Sequence, residues 1–192
     1  MTAPAIRVTG IDEADELVST DPLALVIGML LDQQIPMEWA FKGPATLSER
    51  LGGLDAARIA AMDPDDFAAV FATKPALHRF PGSMAKRTQE LCRHITEVWN
   101  GDAGNLWTGV GDANELMTRV RALPGYGDEK SRILVAMLAK RLGVRPKGWE
   151  TATAPFSDDQ PRSVADIDSP ESLARVREWK KAMKAKGKSK AD

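Results

Sequence analysis

Cysteine, long apolar runs and strand-like alternation are what this 192-residue chain has little or none of. Its one cysteine, Cys92, excludes internal disulfides and any all-cysteine zinc or iron–sulfur site within the chain. No apolar run approaches the roughly 18 residues of a membrane-spanning helix, so no membrane partner is expected. Met1-Thr-Ala-Pro-Ala-Ile-Arg7 carries no apolar signal core, and the default expectation is a cytoplasmic protein. His78 and His94 stand apart, without a cysteine or carboxylate at metal-ligand spacing, and read as structural; no metal site is expected. No glycine-rich loop for a nucleoside triphosphate is present. β-Branched residues nowhere alternate with polar ones long enough for a strand, which leaves an all-α chain.

The composition is that of a globular protein, 43% hydrophobic and 28% charged, long enough for one domain or one domain in two lobes. The net charge of −1 conceals an asymmetry. Residues 1–120 hold 10 Lys/Arg against 17 Asp/Glu, and residues 121–192 hold 16 against 10. A local basic cluster is what phosphate binding requires, although part of this one reads as a solvated tail.

Helix signals recur throughout. Asp12–Val18 reads as a short helix, and Asp21-Pro22 caps and starts Leu23–Leu31. Met37–Lys42 follows Pro36, with Gly43-Pro44 expected to break it before Ala45–Leu51. Asp55–Ala61, Pro64–Phe71 and an amphipathic Ser83–Trp99 come next, with Cys92 on the buried face of the last. Residues 144–168 read as an irregular loop, Ser169-Pro170 opens a final helix to about Met183, and Lys184–Asp192 reads as a disordered basic tail.

The most informative stretch is Leu123-Pro-Gly-Tyr-Gly-Asp-Glu-Lys130, between helices expected over Asp112–Ala122 and Glu129–Leu142. Two glycines around one residue, after a proline, make a tight turn in which backbone N–H groups can converge. At the start of a helix such amides form an anion site. A second stretch, Leu25-Val-Ile-Gly-Met-Leu-Leu-Asp-Gln-Gln34, ends a helix in two glutamines about ninety residues upstream.

Together, in this order and at this spacing, the two motifs resemble those of the helix-hairpin-helix (HhH-GPD) base-excision DNA glycosylase superfamily, over residues of about 22–143. That is the superfamily of endonuclease III and of the adenine and alkylated-base glycosylases, and the likeness is nearest to a small bacterial group without an iron–sulfur cluster. The resemblance implies a two-lobed all-α fold, with residues 22–143 (hairpin 111–142) in one lobe and 1–21 with 144–183 in the other. It implies a nucleoid-associated monomer that binds double-stranded DNA and excises a damaged base swung into a cleft. Gln34 would fill the gap, with Gln33 or Ile35 assisting. Gly125, Tyr126 and Gly127 would hold a phosphate, with Lys130 or Arg132 supplying charge. No cofactor is implied, though the hairpin can hold a monovalent cation. Trp39, Trp107 and Trp149 are stacking surfaces or core residues.

Two departures matter. Lyase members of the family form a Schiff base through a hairpin lysine. Counted from the glycines, that position is Glu129, and Lys130 lies one residue, about 100°, further round the helix, where it is expected to point towards phosphate. Lyase activity is therefore disfavoured. The family's catalytic Asp is expected after the loop Gly143-Val-Arg-Pro-Lys-Gly-Trp-Glu150, where the sequence offers Glu150, with Asp158, Asp159 and Asp32 as further candidates. The expectation is a hydrolytic, monofunctional glycosylase. A non-catalytic protein of this fold that recognises distorted DNA is the alternative, and a helical adaptor the bland one.

Overall fold

The computed structural model describes residues 5–192, and among these it contains helices and no strand. In chain order they are α1 (Asp12–Thr20), α2 (Pro22–Leu31), α3 (Met37–Leu51), α4 (Ala56–Ala61), α5 (Pro64–Ala72) and α6 (Pro81–Trp99). Then come α7 (Ala113–Arg121), α8 (Asp128–Arg141), α9 (Trp149–Thr153) and α10 (Pro170–Ala185), with short 3-10 turns at Ala103–Leu106 and Val164–Asp166. Local chemistry sets the starts. Asp21, Asp55, Asp63 and Asp112 each accept from amides of the first turn, and Ser169 and Ser172 form a reciprocal capping box at α10. Pro22, Pro64, Pro81 and Pro170 occupy first-turn positions, where a missing N–H costs nothing.

The centre of the molecule is α2, whose residues Leu23–Leu31 are all buried. A helix that is apolar all round needs neighbours on every side. One is α3, which comes close enough that a Cβ on Gly43 would lie 2.5 Å from Leu31 Cδ1, while Gly28 faces Phe41 and Pro44. Another is the hairpin between α7 and α8: Tyr126 is buried and its hydroxyl donates to Val26 O at 2.6 Å. The α8 segment Ile133–Ala139 is wholly buried as well. On the far side α6 packs on α4 and α5, with Gln89 Nε2 donating to Ile59 O and Met62 O at the end of α4. Burial pushes the Cys92 thiol up to about 12, so it is inert.

Three elements differ from the sequence reading. No break occurs at Gly43-Pro44; α3 runs through it, because Gly43 and Pro44 lie on the face pressed against α2, where packing outweighs one lost backbone bond. Residues 144–168 are not uniformly irregular but hold α9 and the second 3-10 turn. The C-terminal residues, read as a disordered tail, fold back in the structure: Lys190 pairs with Glu129 at 3.1 Å, and Arg162 donates to the carbonyls of Lys190 and Asp192.

Candidate nucleic-acid interface and cleft

The hairpin turn is built on Gly125. Its φ is +83°, and a Cβ there would lie 2.5 Å from Leu30 Cδ1, so glycine serves both the left-handed turn and the approach to α2. Gly127 is different, with φ −80° and open space where a Cβ would be. The first helical bond of α8 runs from Ser131 N to Gly127 O at 3.0 Å, and no side chain caps this end. The preceding amides of α8 are therefore free for an anion. Beside them Arg121 and Arg132 converge on Asp128 and hold its carboxyl below the usual range, Arg132 contributing most, leaving a net positive cluster.

One predicted contact is placed otherwise. Tyr126 does not face outward; its ring is in the core and its N–H is bonded to Leu123 O. Arg132 is held by Asp128 and by Ala154 O at 2.9 Å, tying α8 to the segment after α9.

The α2 C-terminus carries the glutamines. Gln33 is fixed: its Nε2 donates to Leu30 O at 2.7 Å, its Oε1 accepts from Arg87 at 2.8 Å, and its carbonyl meets His78 Nε2 at 3.0 Å. Because Phe80 N donates to His78 Nδ1, the His78 proton sits on Nε2 and is donated to Gln33 O. Burial, aided by the Arg87 charge, lowers the His78 pKa and keeps the ring neutral. With Gln33 clamped, Gln34 is thrust out at φ +59°, exposed, and without a side-chain hydrogen bond among the described residues. A glutamine held left-handed is strained, and such strain concentrates at working sites. Ile35 is half-buried against the core. Two exposed aromatic rings, Trp39 and Phe80, flank His78 at 6.5 and 6.1 Å.

Between the Gln34 loop, the start of α8 and α10 lies a cleft of about 390 Å³, within the range of small-ligand sites. Lys130 projects into this cleft, not towards the hairpin's phosphate site. Its Nζ donates to Met29 O and to Asp32 O, the latter at 3.1 Å, closing the carbonyl end of α2. Loss of solvation brings its pKa down to about 8, against the opposing pull of Asp32. Lys180 faces the same space from α10, with Nζ 3.1 Å from Met37 Sδ and its pKa lowered by burial.

The carboxylates at the cleft are Asp32 and Glu129. Glu150 is exposed on α9, Asp158 is paired with Arg162 at 2.9 Å, and Asp159 is exposed; none of the three lines the cleft. Sequence reasoning missed Lys180 and Lys190, which are two lysines among many in a basic segment and carry no local signal. It also missed Arg87, which only tertiary packing brings to the glutamine loop.

No match is found among curated proteins. The family model of the HhH-GPD superfamily base excision DNA repair proteins, however, matches residues 27–191, a span from within α2 through the hairpin to the tail. The chain belongs to that superfamily, the DNA-binding glycosylases of base-excision repair.

Proposed function

We propose that the chain, acting as a monomer, excises a modified base swung out of duplex DNA into the cleft, with Lys130 as the attacking group. The free amides of α8 hold a backbone phosphate, Gln34 enters the vacated stack, and Trp39 and Phe80 lie against the duplex. Residues 22–143 form one wall, and the C-terminal segment supplies Lys180 and Lys190 to the other. One observation carries the reading: an amine in the cleft beside Gln34, desolvated to a pKa of about 8. At pH 7 about a tenth of such a group is a free nucleophile, far more than of an ordinary lysine. Its lone pair attacks C1′ as the N-glycosidic bond breaks; the base leaves with the bonding pair and takes up a proton. One of the two protons on the attached nitrogen then passes to O4′ as the C1′–O4′ bond breaks, and the sugar opens to a protonated imine. Asp32, across from Lys130, supplies the negative charge that the cationic sugar needs.

Glu150, Asp158 and Asp159 stand outside the cleft, which turns the proposal from simple hydrolysis towards this amine route. Borohydride added during turnover on lesion-bearing duplexes should trap a covalent complex with the native chain and none with Lys130→Ala. Base release without trapping would instead assign hydrolysis to Asp32, and Asp32→Asn would then abolish release.

A second reading, a non-catalytic binder of distorted DNA, is favoured by the bonds that Lys130 makes to Met29 O and Asp32 O, which suit a helix-capping role. It requires that no base be released and no complex trapped, while bent duplexes are still bound.

A further inference from the structure

The wall of the cleft opposite the hairpin is made by α10 and the residues after it, and what it presents is amines. Lys180 stands on α10 above Met37, and Lys190 comes from the folded-back tail to within 3.1 Å of Glu129. This placement is built by Arg162, whose side chain is only 12% exposed. Its Nη1 donates to Lys190 O at 3.3 Å and Asp192 O at 2.5 Å, its Nε is paired with Asp158, and its guanidinium lies over the Trp179 ring at 5.2 Å. Asp158 thus holds the arginine that seats the tail.

The cleft therefore carries three amines, on Lys130, Lys180 and Lys190, against the two carboxylates of Asp32 and Glu129, and Glu129 is already paired. Among the described residues no aromatic ring lines it: Trp39 and Phe80 lie around His78, Trp107 faces a separate hollow beside α1 and α2, and Trp149 opens α9. Of the two groups that hold a positively charged base, the aromatic face is missing, and the one carboxylate without a bonded partner among the described residues, that of Asp32, faces three amines. Ammonium groups instead donate to oxygen, and in a half-desolvated cleft that donation and the repulsion of a cation are both stronger than in water.

We propose that Lys180 and Lys190 make this cleft selective for neutral or anionic bases rich in carbonyl oxygens, such as oxidised pyrimidines, and against bases made cationic by alkylation. The inference rests on the cleft being the excision site proposed above.

Its test is base release by the full chain from two sets of otherwise identical duplexes, one carrying an oxidised pyrimidine and the other 7-methylguanine. Binding to each, and to undamaged duplex, is followed in parallel as a function of salt. The native chain should prefer the oxidised pyrimidine. Lys180→Met and Lys190→Met should each narrow that preference by about tenfold, the size of one lost charged hydrogen bond. Lys180→Arg, which keeps the charge, should retain it, and circular dichroism confirms folding of each variant. Preferential release of 7-methylguanine would overturn the selectivity but leave excision standing. So would a Lys180→Met variant that binds all duplexes more weakly and equally, with a shallower salt slope, since that marks a phosphate contact. Release of neither base, with binding blind to both lesions, would overturn the selectivity and the proposed excision together.

Discussion

Gly125 and Gly127 sit two residues apart in one turn, and the structure gives them different work. Gly125 is left-handed at φ +83° and lies against Leu30, so Gly125→Ala is strained twice over. The left-handed backbone and the displaced Leu30 should together cost about 2–4 kcal/mol. Gly127, at φ −80° with open space around it, should accept alanine, with a gain of up to about 1 kcal/mol from the stiffer unfolded chain. Urea unfolding of the two variants checks the contrast, and equal losses would contradict it. The sequence shows the glycine pair but not this division, because it depends on which glycine α2 meets. Lys130 makes the same point. Its position one residue past the lyase site suggested that it points away, yet the entry of α8 against α2 turns it into the cleft. With a folded pKa of about 8, its neutral form grows about tenfold per pH unit below 8 and levels off above it. The rate of borohydride trapping should follow that curve; a rate that is flat from pH 6 to 8 would remove Lys130 as the nucleophile.

The loop that carries Gln34 is a product of two elements, the end of α2 and the start of α6. Neutral His78, immediately before α6, donates to Gln33 O, and Arg87 of α6 holds the Gln33 side chain. The His78 pKa is lowered in the fold, chiefly by burial, below the 6.5 of the free group. The unfolded chain therefore binds the extra proton first as the pH drops. The stability supplied by neutral His78 is whole above about pH 6.5 and is lost as the pH falls through its folded value. The urea midpoint should fall on going from pH 7.5 to 5.5, and His78→Asn should flatten that fall. Element starts were legible from Asp and Pro pairs such as Asp21-Pro22 and Ser169-Pro170, whose signals are local. Gly43-Pro44 misled because proline's local cost was outweighed by contact with α2, which lies outside any local window. The glutamine motif was legible as well, but the clamp on Gln33 was not, since His78 and Gln33 are 45 residues apart.

At the scale of the whole molecule, the cleft exists only if the C-terminal segment stays docked on α8, where Phe156, Val164, Ile167 and Val176 are buried in the core and one buried ion pair ties the two together. Lys140 of α8 donates to the Asp166 carboxylate and to Asp158 O, both at 2.6 Å, and the two side chains of the pair are only 12% and 10% exposed. Arg141 and Asp168 add a more exposed tie at 2.7 Å. Asp166 also accepts from the backbone of Arg162 and Ser163, so the pair fixes the very arginine that seats the tail. Lys140→Met leaves the carboxylate buried without its cation and should cost about 3–5 kcal/mol. Adding Asp166→Asn removes the stranded charge, so the double variant should be less destabilised than the sum of the singles, by a coupling of about 1–3 kcal/mol. Lys140 itself does not line the cleft. Any loss of base selectivity in Lys140→Met must therefore come through displaced Lys180 and Lys190, and it should parallel the loss in Lys180→Met. Retained selectivity in a destabilised but folded Lys140→Met would mean that α10 and the tail hold their places without this pair.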